Sequence, residues 1–272
     1  MRLALDLEAA SRTRILKSAL PIRIDPPGAT EAVLLLHGFT GYPAELGLPA
    51  RLLAEQGYAV RIPRYPGHGG SRADFMRTGR HDWLRSALDE WLDLRASYDT
   101  VHVVGHSMGG LIATAVASYC DVGKLVLLAP AFLVLTPGIA FSPLVAPFVP
   151  VMKKGRPIDP KEAGNPDRVL RHAEYGQDDI VAEAAELRRL MVECRRLLPR
   201  VKSPILVVMG EKDDTVSSEV GGYIRKRATS ASSVQTAVVP NAGHTFPFDG
   251  GAEEGASLVV SFLGRPSTHG AL

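Results

Sequence analysis

The apolar positions of this chain fall into short unbroken runs that alternate with longer, wider-spaced patterns. Ala32-Val33-Leu34-Leu35-Leu36 is one such run, ended by His37-Gly38. An apolar run without polar alternation predicts a strand buried on both faces, as in a parallel sheet. Further strands are predicted at 58–63, 101–104, 124–129, 204–209 and 234–239. Helical spacing lies between them, at 44–56 with Gly57 as its stop signal, at 81–98 and at 107–120. In the second of these, Leu84, Leu88, Trp91 and Arg95 follow one edge while Trp83, Ala87 and Leu94 line the next, which makes a broad apolar face. Strands alternating with helices at this spacing predict an α/β fold, a mostly parallel doubly wound sheet covered on both faces.

The alternation stops between Pro130 and Ser203, where no strand is predicted. The second half of that interval is amphipathic. Ile180, Ala184, Leu187, Met191, Cys194 and Leu198 share a face, with Glu183, Glu186, Arg189, Glu193 and Arg196 largely elsewhere. So long an interval between two core strands exceeds an ordinary connection. The expected organisation is an N-terminal arm (1–30), a core (31–130 and 204–272), and a helical lid (131–203) over the carboxyl ends of the strands. The arm has no assigned role.

Composition narrows the classes. A chain of 272 residues, 46% hydrophobic, can bury a sizeable core as one α/β domain with an insertion. A net charge of +2 without a long basic run argues against a nucleic-acid surface. Residues 131–152 are uncharged and long enough to span a bilayer. They also hold Pro137, Pro143, Pro147 and Pro150, each costing a helix about 3 kcal/mol beyond its first turn. No integral membrane segment is expected. Asp6 and Glu8 interrupt what would be the apolar core of a signal peptide, and Cys120 and Cys194 show no CxxC spacing. Free thiols and a cytoplasmic location are the expectation. Monomer and homo-oligomer are equally open.

The chemistry gathers at strand ends. VVGHSMGG places Ser107 in a Gly-x-Ser-x-Gly pattern between a predicted strand and a predicted helix. Small residues at Gly105 and Gly109 would relieve a sharp turn, expose the serine oxygen, and leave the Met108 amide at the positive end of the helix. The competing reading makes Ser107 an N-cap. LLLHGFTG offers the Phe39 amide as a second donor toward an oxyanion, and there His37 is better explained as a loop-fixing ring than as a base. Downstream, two strands run into Gly210-Glu211-Lys212-Asp213-Asp214 and Pro240-Asn241-Ala242-Gly243-His244. A hydroxyl needs a base to take its proton, and that base needs a carboxylate to set its tautomer. Serine, acid and histidine occur in the chain order that this architecture requires. His68 in PGHGG reads as structural, and His106 as shaping the turn. His81, His102, His172 and His269 stand in no motif. No cluster has metal-ligand spacing, and neither GxGxxG nor a Walker lysine is present, so no metal and no cofactor are expected.

Taken together, HGFTG, PRYPGHGGS, GHSMGG, GEKDDTV and AGH resemble the α/β-hydrolase superfamily, and within it the bacterial carboxylesterase and monoacylglycerol lipase branch. The resemblance runs from residue 31 to about residue 263; the lid matches only in position and helical character. It implies Ser107 as nucleophile, His244 as base and Asp213 as orienting acid, with the Phe39 and Met108 amides as oxyanion donors. Asp213 is preferred to Asp214 because the family often places its acid third after the strand-end glycine, with a valine three further on, as in Gly210, Asp213 and Val216. The implied activity is serine carboxylesterase action on short- to medium-chain esters through an acyl-enzyme. The alternatives are a monoacylglycerol lipase, a thioesterase, a carbon–carbon hydrolase, or a non-catalytic ligand-binding member of the fold.

Overall fold

The apolar runs become strands because helices cover both faces of the sheet they build. The computed structural model describes residues 11, 13–160, 164 and 166–264. In chain order its strands are β1 (Ile22–Ile24), β2 (Glu31–Leu36), β3 (Ala59–Ile62), β4 (Thr100–His106), β5 (Leu125–Leu128), β6 (Val151–Met152), β7 (Asp179–Ile180), β8 (Ile205–Gly210) and β9 (Val234–Val239). Seven of them form one sheet in the order β1-β3-β2-β4-β5-β8-β9, while β6 and β7 pair with each other. All neighbours in the large sheet are parallel except β1 and β3.

The helices are α1 (Gly47–Glu55), α2 (Arg72–Phe75), α3 (Arg80–Arg95), α4 (Met108–Tyr119), α5 (Ser142–Val145), α6 (Pro166–Arg171), α7 (Val181–Leu197), α8 (Val220–Arg227) and α9 (Ala252–Leu263). Alternate residues of each strand serve opposite faces. Val33, Leu35 and Val104 pack with Ala50 and Leu53 of α1 and Val259 of α9. Leu34, Leu36 and Val103 pack with Trp83 of α3, Leu111 of α4 and Ile224 of α8. Each fully buried leucine of β2 contributes about 1.5–3 kcal/mol relative to an exposed one. Because β2, β4, β5 and β8 run parallel in close register, the residues following them emerge at one edge of the sheet, where this class of fold places its sites.

Between β5 and β8 the chain makes a long excursion. Pro137 opens a 3₁₀ turn at Pro137–Phe141 and Pro143 lies in the first turn of α5, positions where a missing N–H costs nothing. Helix α7 runs nearly where the periodicity predicted it and seats Leu187, Leu190, Met191 and Cys194 in the core, with the Cys194 thiol 3.2 Å from the Leu111 carbonyl. The insertion docks on the loops after β2 and β3. The Tyr175 hydroxyl donates to Gly70 O at 2.9 Å, and Arg72 donates to Glu174 O at 2.8 Å and pairs with Asp178 at 2.8 Å. Its start is tied to the segment after β8, where Leu135 N donates to Thr215 O and Ser217 N to Leu133 O.

Several expectations change. The arm does have a structural place: β1 caps the sheet antiparallel to β3, with Ile22 opposite Ile62. The interval 130–203 does contain strands, the two-residue pair β6 and β7, too short to leave a period-2 signal. Glu183 is not on the polar side of α7 but 2% exposed, and burial pushes its carboxyl up to about 7. Ala184, placed on the apolar face by spacing, is only half-buried, whereas Ala185 is buried. The uncharged tract 131–152 buries Phe132 but leaves Phe141, Leu144 and Phe148 at 64%, 71% and 85% exposure. Cys120 and Cys194 are free thiols, and among the described residues no helix is long and apolar enough to cross a membrane. His269 lies outside the described residues.

Candidate active site

At the end of β4 the chain turns within one residue into α4. Ser107 makes that turn at φ 53°, ψ −114°, a left-handed conformation that side-chain-bearing residues rarely adopt. The glycines on either side make it possible. A Cβ on Gly105 would stand 2.2 Å from the Gly109 carbonyl oxygen, and one on Gly109 would stand 2.0 Å from Leu36 O. Both obstacles are backbone, so neither can move aside. Gly109→Ala should therefore cost about 3 kcal/mol of stability in a denaturant titration; an unchanged midpoint would contradict this close approach. Ser107 occupies the N-cap position of α4, yet its side chain makes no capping bond. Its oxygen lies instead 3.0 Å from Nε2 of His244.

His244 comes from the loop after β9, and its Nδ1 lies 2.9 Å from Oδ2 of Asp213 in the turn after β8. A carboxylate can only accept there, so Nδ1 carries the proton and donates it. Nε2 is left with its lone pair facing Ser107, and the Ser107 hydroxyl donates to it. Asp213 Oδ1 is held by the backbone amides of Thr215 at 2.9 Å and Val216 at 2.8 Å. Burial alone would raise the Asp213 carboxyl. The His244 hydrogen bond, its charge and the two amides outweigh burial and hold it below the usual carboxylate range. Asp214 is exposed and, among the described residues, accepts only from Thr215 Oγ1, at 3.2 Å. The structure brings Ser107, His244 and Asp213 together and leaves Asp214 outside.

The loop after β2 supplies the remaining polar groups. Thr40 turns it with φ 56°, and its hydroxyl donates to Phe39 O at 2.7 Å, while Gly41 N closes on Gly38 O at 3.1 Å. A Cβ on Gly38 would sit 3.4 Å from the Ser107 Cβ, so this loop runs directly beside the serine. Among the described residues no hydrogen bond occupies the Phe39 or Met108 amide. Two unspent N–H donors beside a hydroxyl with an adjacent acceptor can stabilise negative charge on an oxygen attacked from that hydroxyl.

Residues 33–257 match the sequence pattern described as the alpha/beta hydrolase family. The chain belongs to that family. This hydrolase is 32% identical over 185 residues to a thermostable monoacylglycerol lipase of Bacillus sp. (strain H-257), across 68% of this chain and 71% of that protein. It is 24% identical over 198 residues to a carboxylesterase of Bacillus subtilis (strain 168), across 72% and 78%. Among solved structures, a metagenome-derived lipolytic enzyme superposes with a TM-score of 0.76 at 22% identity, over 92% of this chain and 99% of that one. At that identity the likeness concerns the fold alone.

The other histidines of the hydrolase sort by burial. His37 Nδ1 donates to Gly38 O at 3.0 Å and its ring packs 4.3 Å from Tyr65, which is the loop-fixing role and not that of a base. Burial holds it well below its ordinary pKa, and His68, beneath the same loop, is pushed down to about 3 by burial. His106 does more than shape the turn. Its Nε2–H donates to the His244 backbone carbonyl at 3.1 Å, and burial, with the neighbouring His244 charge, lowers it to about 3, so the ring is a neutral strut under His244. Adjacency to Ser107 was the only sequence signal for this role. His102 pairs with Glu31 at 2.9 Å, away from the site. His172 meets Arg156 O at 2.9 Å, and His81 is exposed. Among the described residues no group of three histidine, cysteine or acidic side chains could hold a metal ion.

Proposed function

We propose that the chain is a serine carboxylesterase in which Ser107 is the nucleophile, His244 the general base, Asp213 the group that orients it, and the Phe39 and Met108 amides the oxyanion donors. The observation carrying this reading is the hydrogen-bonded series Ser107–His244–Asp213, with distances of 3.0 and 2.9 Å, on a strained turn. Ser107 Oγ attacks the ester carbonyl carbon as its proton passes to His244 Nε2. The carbonyl oxygen, now negative, accepts from the two amides, and each such donor supports about 10²–10³ in kcat. The carbon–oxygen bond to the alcohol breaks, and His244 returns the proton to the leaving oxygen. Water then attacks the acyl-enzyme, its proton going to His244, and collapse releases the acid and restores the Ser107 hydroxyl. Residues 131–203 act as the lid, a role supported by their contacts with the loops after β2 and β3. Similarity to a carboxylesterase and to a monoacylglycerol lipase supports ester hydrolysis, and the second favours monoacylglycerols as the alternative substrate class.

Purified protein should turn over p-nitrophenyl butyrate, and a serine-directed phosphonate should stop it with one label per chain, on the peptide holding Ser107. Full activity after labelling, or a label elsewhere, would overturn the assignment. Partly buried Leu133, Val134 and Ile139 line the start of the lid. If they meet the acyl chain, kcat/KM should rise up to about fourfold per added methylene from acetate toward octanoate, since each buried methylene is worth about 0.8 kcal/mol. An optimum at acetate would mean that the apolar tract serves its outward face alone.

A further inference from the structure

Glu45 stands just behind the oxyanion loop and is 4% exposed, an unusual place for a carboxylate with no role in packing. Its Oε2 presses on the loop: a Cβ on Gly41 would lie 2.3 Å from it. The Tyr42 backbone amide beside the carboxylate favours its anion. Its Oε1 faces Arg171 Nη1 at 3.3 Å, a charge contact without hydrogen-bond geometry. Arg171 is the last residue of α6, so this partner comes from the lid. The same guanidinium lies 5.4 Å above the Tyr42 ring. One lid side chain therefore grips the loop twice, through Glu45 and through Tyr42, a few residues beyond Phe39.

We infer that Glu45 and Arg171 form a latch through which the lid holds the oxyanion loop with the Phe39 amide aimed at the reacting carbonyl. Both are positioning residues; neither touches the reacting atoms. The inference rests on Phe39 being an oxyanion donor. Stability alone does not account for a buried acid here. The charges facing Glu45 are Arg171 and Arg168 from the lid and His244 from the loop after β9; with the Tyr42 amide they favour the anion, yet burial outweighs them and pushes the carboxyl up to about 7. A folded pKa above the unfolded one means that the Glu45 contribution to stability is fully present below the ordinary carboxylate value. It is lost as pH rises through about 7. The anion that pairs with Arg171 at alkaline pH is thus held at a cost to the fold.

Glu45→Gln and Arg171→Gln test this. Both variants should speed amide hydrogen exchange in residues 38–42 and lower kcat about tenfold, part of what loss of a whole oxyanion donor removes, with KM little changed. The double variant should be no worse than either single one, because both break one contact. Glu45→Gln should melt no lower than the wild type at pH 8, since it removes the buried charge, and a merely structural glutamate would move that readout the other way. In the wild type, the protection of the loop amides, taken against the intrinsic exchange rate at each pH, should fall as pH drops below about 7, with no such step in Glu45→Gln. Unchanged loop exchange, unchanged kcat, or a melting temperature that falls together with activity would each overturn the latch. Should the wild type hydrolyse no ester, the proposed function fails by itself, and hydrogen exchange still decides whether lid and loop are joined here.

Discussion

Ser107→Ala should abolish ester turnover to within the roughly 10³–10⁴-fold advantage over water that binding and oxyanion donors alone sustain. In the proposed mechanism the loss is this large because the Ser107 hydroxyl receives the acyl chain, with His244 Nε2 at 3.0 Å to take its proton. The fold should be nearly untouched. The side chain makes no capping bond, so its removal frees no helix amide, and alanine meets the same left-handed backbone that serine already tolerates. Replacing Ser107 with glycine should even raise the melting temperature, since relief of a residue held at positive φ is worth about 1–3 kcal/mol. The measurement is steady-state hydrolysis beside a thermal melt on the same preparations. A folded Ser107→Ala protein with near-normal turnover would remove the serine from the mechanism.

Asp213→Asn should lower kcat about 10⁴-fold, because an amide facing Nδ1 leaves the imidazole in the wrong tautomer and removes the charge that stabilises its protonated form. Asp214→Asn should leave kcat within a few-fold, since its exposed carboxylate meets the Thr215 hydroxyl and not His244. The pair is informative because the two residues are adjacent and differ only in what they face. Asp213 also bears on stability. Its carboxyl sits below the ordinary range, so its contribution is present above the unfolded pKa and is lost as pH falls through the lower folded value. Asp213→Asn should therefore narrow the gap between neutral and strongly acid stability. The reverse kinetic ranking would transfer the orienting role to Asp214 and leave the rest of the chemistry standing.

Much of this was legible in the chain because it depends on neighbours in sequence. The run at 32–36 has no polar residue to place in water, so it must lie inside a sheet covered on both faces. Gly105 flanks the serine because a Cβ there would meet the Gly109 carbonyl, a steric demand local to five residues, whereas Gly109 answers to the backbone of the neighbouring strand at Leu36. Asp213 and His244 could be singled out because parallel strands end at one edge, and the residues after two such strands are brought near the serine whatever their separation along the chain. The helix at 181–197 showed itself by its periodicity.

What the tertiary structure alone decided depends on partners that no local pattern names. His106 supports His244 through a backbone carbonyl, an atom that every residue possesses and no motif marks. Glu183 carries a charge and sits where spacing put it among polar neighbours, yet the broad burial at the start of α7 encloses it. β1 takes its place from the free edge of β3, and a three-residue strand has too short a pattern to announce itself. Glu45 and Arg171 meet only because the segment inserted between β5 and β8 folds back across the loop after β2. Short-range sterics and hydrophobic periodicity are written in adjacent residues and survive in the sequence; long-range pairing of charges and backbone groups exists only once the elements carrying them have packed.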